Sequence, residues 1–223
     1  MNSRAAITAL LLAVTAHAAS LTTPEFEKLL RENYTLKQQG TADPDRFIAS
    51  ARGFADKGDA SAQYFVGMIL MRDDPKKSKE YLLKSSSAGC VGSMALLGMQ
   101  YLREKDRNQA IPLMVKAAEN GDATAQVFLA GAYLRGDGFE KSTLEAYVWL
   151  KLAERQSFSL GALAAIRDSV SKVENQLSAE EKAIEEERFA MAAKKFPVVD
   201  YVFCGQANPD PSRSTTVPNY LRM

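Results

Sequence analysis

A chain of 223 residues with 28 Lys and Arg, 27 Asp and Glu and one histidine is long enough to bury a sizeable core. It carries no charge excess with which to draw nucleic acid or an anionic membrane onto its surface. His17 is the only imidazole and lies in a segment expected to be removed, so no Ser-His-Asp or Cys-His pair and no histidine-ligated zinc is available to the mature chain. The expectation is a protein that is not an enzyme, with no catalytic residue, no metal and no cofactor.

Residues 1–18 read as a signal peptide. Arg4 supplies the positive start, Ala5 to Val14 the apolar run, and Ala16-His17-Ala18 the small-x-small pattern before cleavage near Ala18. The run is too short to span a bilayer, and no later stretch is apolar and long enough to anchor the chain. The expected location is therefore periplasmic or secreted, without membrane insertion. Loss of Arg4 leaves 27 basic residues against 27 acidic ones, a net charge of zero.

Residues 21–57 are expected to form N-terminal capping helices. Thr23-Pro24 is a helix start, the first helix runs from Glu25 to Gln39 before Gly40, and a second runs from about Pro44 to Lys57. Residues 58–157 hold three repeats, visible when Gly58, Gly89 and Gly121 are aligned at spacings of 31 and 32. Each glycine suits the left-handed end of a helix. Small residues then recur at fixed places: Ala62 and Gly67 before Leu70, Ser93 and Gly98 before Tyr101, Ala125 and Ala130 before Tyr133. Their size lets two helices approach closely. A second helix follows in each unit, marked by Tyr81 and Lys84, Leu113 and Lys116, and Trp149 and Leu152. Asp73-Asp74-Pro75 breaks the first pair, and Gly136-Asp137-Gly138 turns the third without the oxygen ligands a calcium loop needs.

Gly58-Asp59-Ala60-Ser61-Ala62-Gln63-Tyr64, Gly121-Asp122-Ala123-Thr124-Ala125-Gln126, Tyr133-Leu134-Arg135-Gly136-Asp137-Gly138 and Ala146-Tyr147-Val148-Trp149 resemble the Sel-one-like repeat, a relative of the tetratricopeptide repeat. The resemblance implies an all-α fold, a right-handed αα-superhelix of about three repeats with helical caps. It also implies an adaptor whose first helices line a concave surface. The first two units lack the glycine-rich turn of the third.

Residues 158–196 are expected to form C-terminal capping helices, Leu160 to Asn175 and Ala179 to Lys195, the second opened by a capping box of Ser178 and Glu181. Glu180, Glu181, Glu185, Glu186 and Glu187 share that helix with Lys182 and Arg188, which reads as a charge-laced surface rather than a glycosidase pair. Residues 197–223 read as a Pro/Ser/Thr tail, flexible or held extended. Cys90 and Cys204 form a possible disulfide; unpaired thiols are the alternative, because the distance between the two positions is not legible in the sequence.

The candidate partner-binding surface comes from the repeat register. Phe65, Leu96 and Phe128 recur once per unit, Met68 and Met99 stand three residues further on, and Arg72, Arg103 and Arg135 seven residues further on. Stacked units would align these into an apolar strip edged by arginines, suited to a protein or peptide that is apolar and partly acidic. The alternative is that the strip is core and the arginines serve helix termini. The methionines read as gap-filling and not as copper ligands. Two rival functions stand beside the adaptor: an envelope element that binds peptidoglycan, and a hydrolase of the penicillin-binding type. The second would lack both the family's within-repeat cysteine pairs and a nucleophile with its base.

Overall fold

The helices begin where a short oxygen-bearing side chain can take up a free amide. Thr23, Asp43, Asp59, Asp74, Asp106, Asp122 and Ser178 all cap helix N-termini in this way. The computed structural model of the protein describes residues 21–156, 160–196, 199–200, 204 and 206–207. Its helices in chain order are α1 Pro24–Gln38, α2 Pro44–Asp56, α3 Ala60–Leu70, α4 Pro75–Ser87, α5 Val91–Arg103, α6 Arg107–Glu119, α7 Ala123–Arg135, α8 Thr143–Gln156, α9 Leu160–Glu174 and α10 Ala179–Lys195. The expected signal peptide, residues 1–18, and the end of the tail from residue 208 lie outside the described residues.

Three turns between helices share one design. The amide of Gly58, Gly89 or Gly121 donates to the carbonyl three residues back, and the next amide donates to the carbonyl five back. These are the two bonds of the helix-ending motif in which a left-handed residue follows the last turn, and the glycines have φ of +97°, +101° and +91°. In the first and third turns the residue after glycine is an aspartate that immediately caps the next helix: Asp59 accepts from the Ala62 amide and Asp122 from the Ala125 amide, each at 2.7 Å. Gln63 and Gln126, four residues on, donate back to the Ala55 and Ala118 carbonyls at 3.1 and 3.0 Å. One Gly-Asp-x-x-x-Gln string thus ends a helix, starts another and ties the two together.

Within each repeat the helices touch at their smallest residues. A Cβ on Gly67 would lie 2.8 Å from Leu82, and one on Gly98 would lie 2.7 Å from Met114. The facing positions are Ser78 and Ala110, both fully buried, and Ser78 uses its hydroxyl to bond the Gly67 carbonyl at 2.7 Å. Ala130 occupies the same place in the third repeat, against the cluster that holds Ala146 and Leu150. The packing is serial: α2 on α3, α3 on α4, α4 on α5, and so on to α8, with α9 and α10 both packed on α8. Alongside that series α3 also meets α5, so first helices of neighbouring repeats lie side by side.

The third repeat is longer because Gly136 to Ser142 make a wider turn. Gly138, at φ +83°, passes so close to Ile111 of the second repeat that a Cβ would sit 2.6 Å from its Cδ1, and Phe139 stacks on Tyr133 with centroids 4.6 Å apart.

At the C-terminal end both halves of the capping box formed by Ser178 and Glu181 are present. The glutamates of α10 are not simply a solvated face, which corrects the surface reading. Glu185 is 1% exposed and accepts from Arg188 at 2.8 Å, while Arg188 also bonds Glu145 of α8. Glu186 accepts from the Tyr147 hydroxyl at 2.5 Å and pairs with Lys151. Charge-bearing side chains therefore join α10 to α8, and Arg155 adds bonds to the Ala193 and Phe196 carbonyls at 2.8 Å each, where the helix dipole is negative.

For part of the tail the held alternative applies. Val199–Asp200 pairs antiparallel with Gln206–Ala207, and between them Cys204 is bonded to Cys90 with Cα atoms 4.5 Å apart. The sequence left this pairing open; the structure forms it at the N-terminus of α5, which has no side-chain cap.

Candidate functional site

The first helices of the repeats, α3, α5 and α7, carry the candidate surface. None of them contains an acidic residue, and their only cations are Arg103 and Arg135 at the C-terminal ends of α5 and α7, with Arg72 two residues beyond α3. Their apolar positions are not equivalent in exposure. Phe65 is 8% exposed and meets the Phe47 ring of α2 edge-on at 5.1 Å. It therefore belongs to the core that joins the N-terminal cap to the first repeat, and its place in an exposed strip is corrected. The physical cause is α2: a cap helix covers at the first repeat what solvent would otherwise reach.

Further along, the register holds with graded exposure. Met68 is 36% exposed, whereas Leu96, Met99 and Phe128 are half-buried. Met99 and Phe128 rest on the cluster of Val91, Met94, Met114 and Leu129. Val127, beside Phe128, is 38% exposed.

Arg72, Arg103 and Arg135 are all exposed, but they are held differently. Arg103 places Nη2 2.7 Å from the Met71 sulfur, bridging the first two repeats. Arg135 bonds Asp137 at 2.9 Å, and Arg107 reaches the other oxygen of the same carboxylate at 3.4 Å. These two guanidinium groups hold the Asp137 carboxyl below the usual carboxylate range. The Arg135 guanidinium also folds back over Gly131, where a Cβ would come within 3.0 Å of Nη1. Arg135 is thus engaged within its own repeat, and Arg72 and Arg103 are the better placed to meet a ligand.

Lys79 lies 4.0 Å above the Tyr101 ring and pairs with Glu104 at 2.6 Å, a second polar tie between the first two repeats. A cleft of about 380 Å³ lies elsewhere, between α8 and α10, with Trp149, Val148, Leu152, Met191 and Phe196 among its walls. Sequence reading missed it because α10 lies outside the repeat. Only Trp149, the chain's one tryptophan, hinted at it. Among the described residues no helix is long and apolar enough to cross a membrane, and no cluster of His, Cys, Asp and Glu could hold a metal ion.

Paired antiparallel helices in serial contact, with first helices side by side, define an all-α repeat solenoid. Residues 60–90, 91–122 and 123–158 each match the Sel1 repeat, so the chain carries three Sel1 repeats with further helices packed on both sides. Such solenoids are generally protein-interaction scaffolds. Among solved structures it is similar to a protective antigen present in uropathogenic Escherichia coli strains that displays an SLR fold, at 27% identity and a TM-score of 0.66 over 77% of this chain. The chain spans 38% of the length of that protein. A Sel1 repeat protein from Oxalobacter formigenes shares the fold at 22% identity and a TM-score of 0.55, over 73% of this chain and 72% of its own. No curated protein matches the chain significantly.

Proposed function

We propose that the protein is an exported, non-catalytic adaptor that holds a partner protein or peptide against the face formed by α3, α5 and α7. The observation that carries this reading is the charge of that face: three helices without one carboxylate, with Arg72 and Arg103 exposed at one edge and Met68, Leu96, Met99 and Phe128 beside them. Methionine and aromatic side chains give adaptable contact area, and arginine pairs with carboxylates in bidentate geometry. The partner segment is then apolar with acidic residues at one end, and the site of action is the periplasm or the exterior.

A photo-crosslinking side chain placed at Met99, and separately at the exposed Leu83 of α4 (42% exposed), tests this in intact cells. Capture of one dominant protein from position 99 alone, abolished by Arg72→Glu with Arg103→Glu, supports the reading. Equal capture from both positions, capture of cell-wall fragments only, or indifference to the charge reversal overturns it.

A further inference from the structure

The second repeat departs from its neighbours at one atom-level feature. Where α3 and α7 are capped by Asp59 and Asp122, α5 has Cys90 at the capping position with no side-chain hydrogen bond. A disulfide sulfur accepts hydrogen bonds too weakly to replace a carboxylate. The missing acceptor arrives from the far end of the chain. The Cys204 carbonyl accepts from the Val91 amide at 2.7 Å and from the Gly92 amide at 3.4 Å. The two cysteines are 0% and 3% exposed and pack with Ala60, Leu21 and Tyr64.

The first repeat receives a backbone carbonyl in the same way: the Ser61 amide donates to Leu21 at 2.9 Å, and Asp59 accepts from the Thr23 amide and hydroxyl at 2.6 and 2.7 Å. Both ends of the described chain are therefore moored on the N-termini of neighbouring first helices, around a single apolar cluster. The two-residue ladder on either side of Cys204 pairs the tail with itself, and the covalent bond and the Cys204 carbonyl hold it on α5.

We infer that Cys204 with the Val199–Asp200 and Gln206–Ala207 ladder beside it is a thiol-sensitive strap: the disulfide delivers the helix cap of the second repeat, and reduction releases both the cap and the strap. The chemistry is ordinary exchange with a dithiol. One thiolate attacks a disulfide sulfur to give a mixed disulfide, the second resolves it, and Cys90 and Cys204 leave as thiols while the reductant becomes a disulfide, two electrons and two protons having been transferred. Because both sulfurs are buried, the strap must swing away before attack, so the reduction rate reaches a plateau at high dithiol concentration. Once free, the strap uncovers Leu21, Ala60 and Tyr64 and leaves the first amides of α5 to water.

The test is a backbone nitrogen relaxation and chemical-shift comparison of the full mature chain, oxidised and fully reduced by dithiothreitol. Reduction is expected to lower the order parameters of Val199, Asp200, Gln206 and Ala207 from about 0.85 to under about 0.6. It should also shift the Val91 and Gly92 amide resonances while Ala62 and Ala125, capped by aspartates, keep theirs. A Cys90→Asp, Cys204→Ala variant restores the aspartate of the other repeats, so its strap should be mobile with or without reductant and its Ser93 amide should gain a cap. A strap that stays rigid after complete reduction with Val91 and Gly92 unmoved, or loss of the whole dispersed spectrum on reduction, overturns the inference.

Discussion

Phe65→Ala separates the two readings of the apolar strip most sharply. Phe65 is 8% exposed, touches Phe47 edge-on at 5.1 Å, and shares a cluster with Phe26, Leu30, Ala51, Ala55, Val66 and Leu70. Truncating a buried phenylalanine costs about 3–5 kcal/mol through lost transfer energy and the cavity left behind. The small residual exposure and the position near one end of the array favour about 3 kcal/mol. At about 2–4 °C per kcal/mol for a chain of this size, the unfolding midpoint should fall by about 6–12 °C. Thermal denaturation followed by far-ultraviolet circular dichroism measures the midpoint and urea denaturation the free energy, with the N-terminal cap losing structure first, since each unit of a repeat array leans only on its neighbours. A double-mutant cycle with Phe47→Ala should return a coupling of about 0.5–1.5 kcal/mol for the ring pair. The same substitution at half-buried Phe128 should cost about half as much. A loss at Phe65 below about 1 kcal/mol would refute the reasoning, because it would mean that α2 does not cover this ring in solution.

Asp122→Ala removes the acceptor for the Ala125 amide and should cost about 1–2 kcal/mol in chemical denaturation, with Asp122→Asn recovering most of it. Gly67→Ala forces a methyl to within 2.8 Å of fully buried Leu82 and 3.3 Å of the Ser78 carbonyl, so overpacking of about 1–3 kcal/mol should outweigh the better helix propensity of alanine. Gly98→Ala meets Met114 instead, and the more adaptable thioether should make it measurably milder in the same assay. Tyr147→Phe should cost about 1–2 kcal/mol, because the hydroxyl that Glu186 and Glu174 share is lost. Burial and then those two carboxylates push the Tyr147 phenol far above its ordinary value. Since the folded-state pKa is the higher one, the stabilisation is complete below the unfolded value of about 10 and is lost as pH rises beyond it. The wild type should therefore weaken more steeply than Tyr147→Phe in denaturation midpoints taken above about pH 10.

The repeat, its glycine spacing and the helix starts were legible in the chain because each is a local rule. Gly58, Gly89 and Gly121 announce helix ends whatever packs around them, and Asp59 and Asp122 announce the next starts. The close approaches were legible too, since Gly67, Gly98 and Ala130 can only mark places where backbones meet. Exposure was not. Phe65, Leu96 and Phe128 hold one register, yet one is core and two are half-buried, because the difference comes from Phe47 on a helix that does not itself repeat. Arg72, Arg103 and Arg135 likewise recur in the sequence, but only the Gly136 turn brings Asp137 onto Arg135 and withdraws it from the row. Cys90 and Cys204 were legible as a possible pair, with Cys90 standing where the neighbouring repeats carry Asp59 and Asp122. That a carbonyl 114 residues away replaces the aspartate is decided by three-dimensional closure, since a helix amide donates to any oxygen that reaches it and sequence distance sets no limit on which one does.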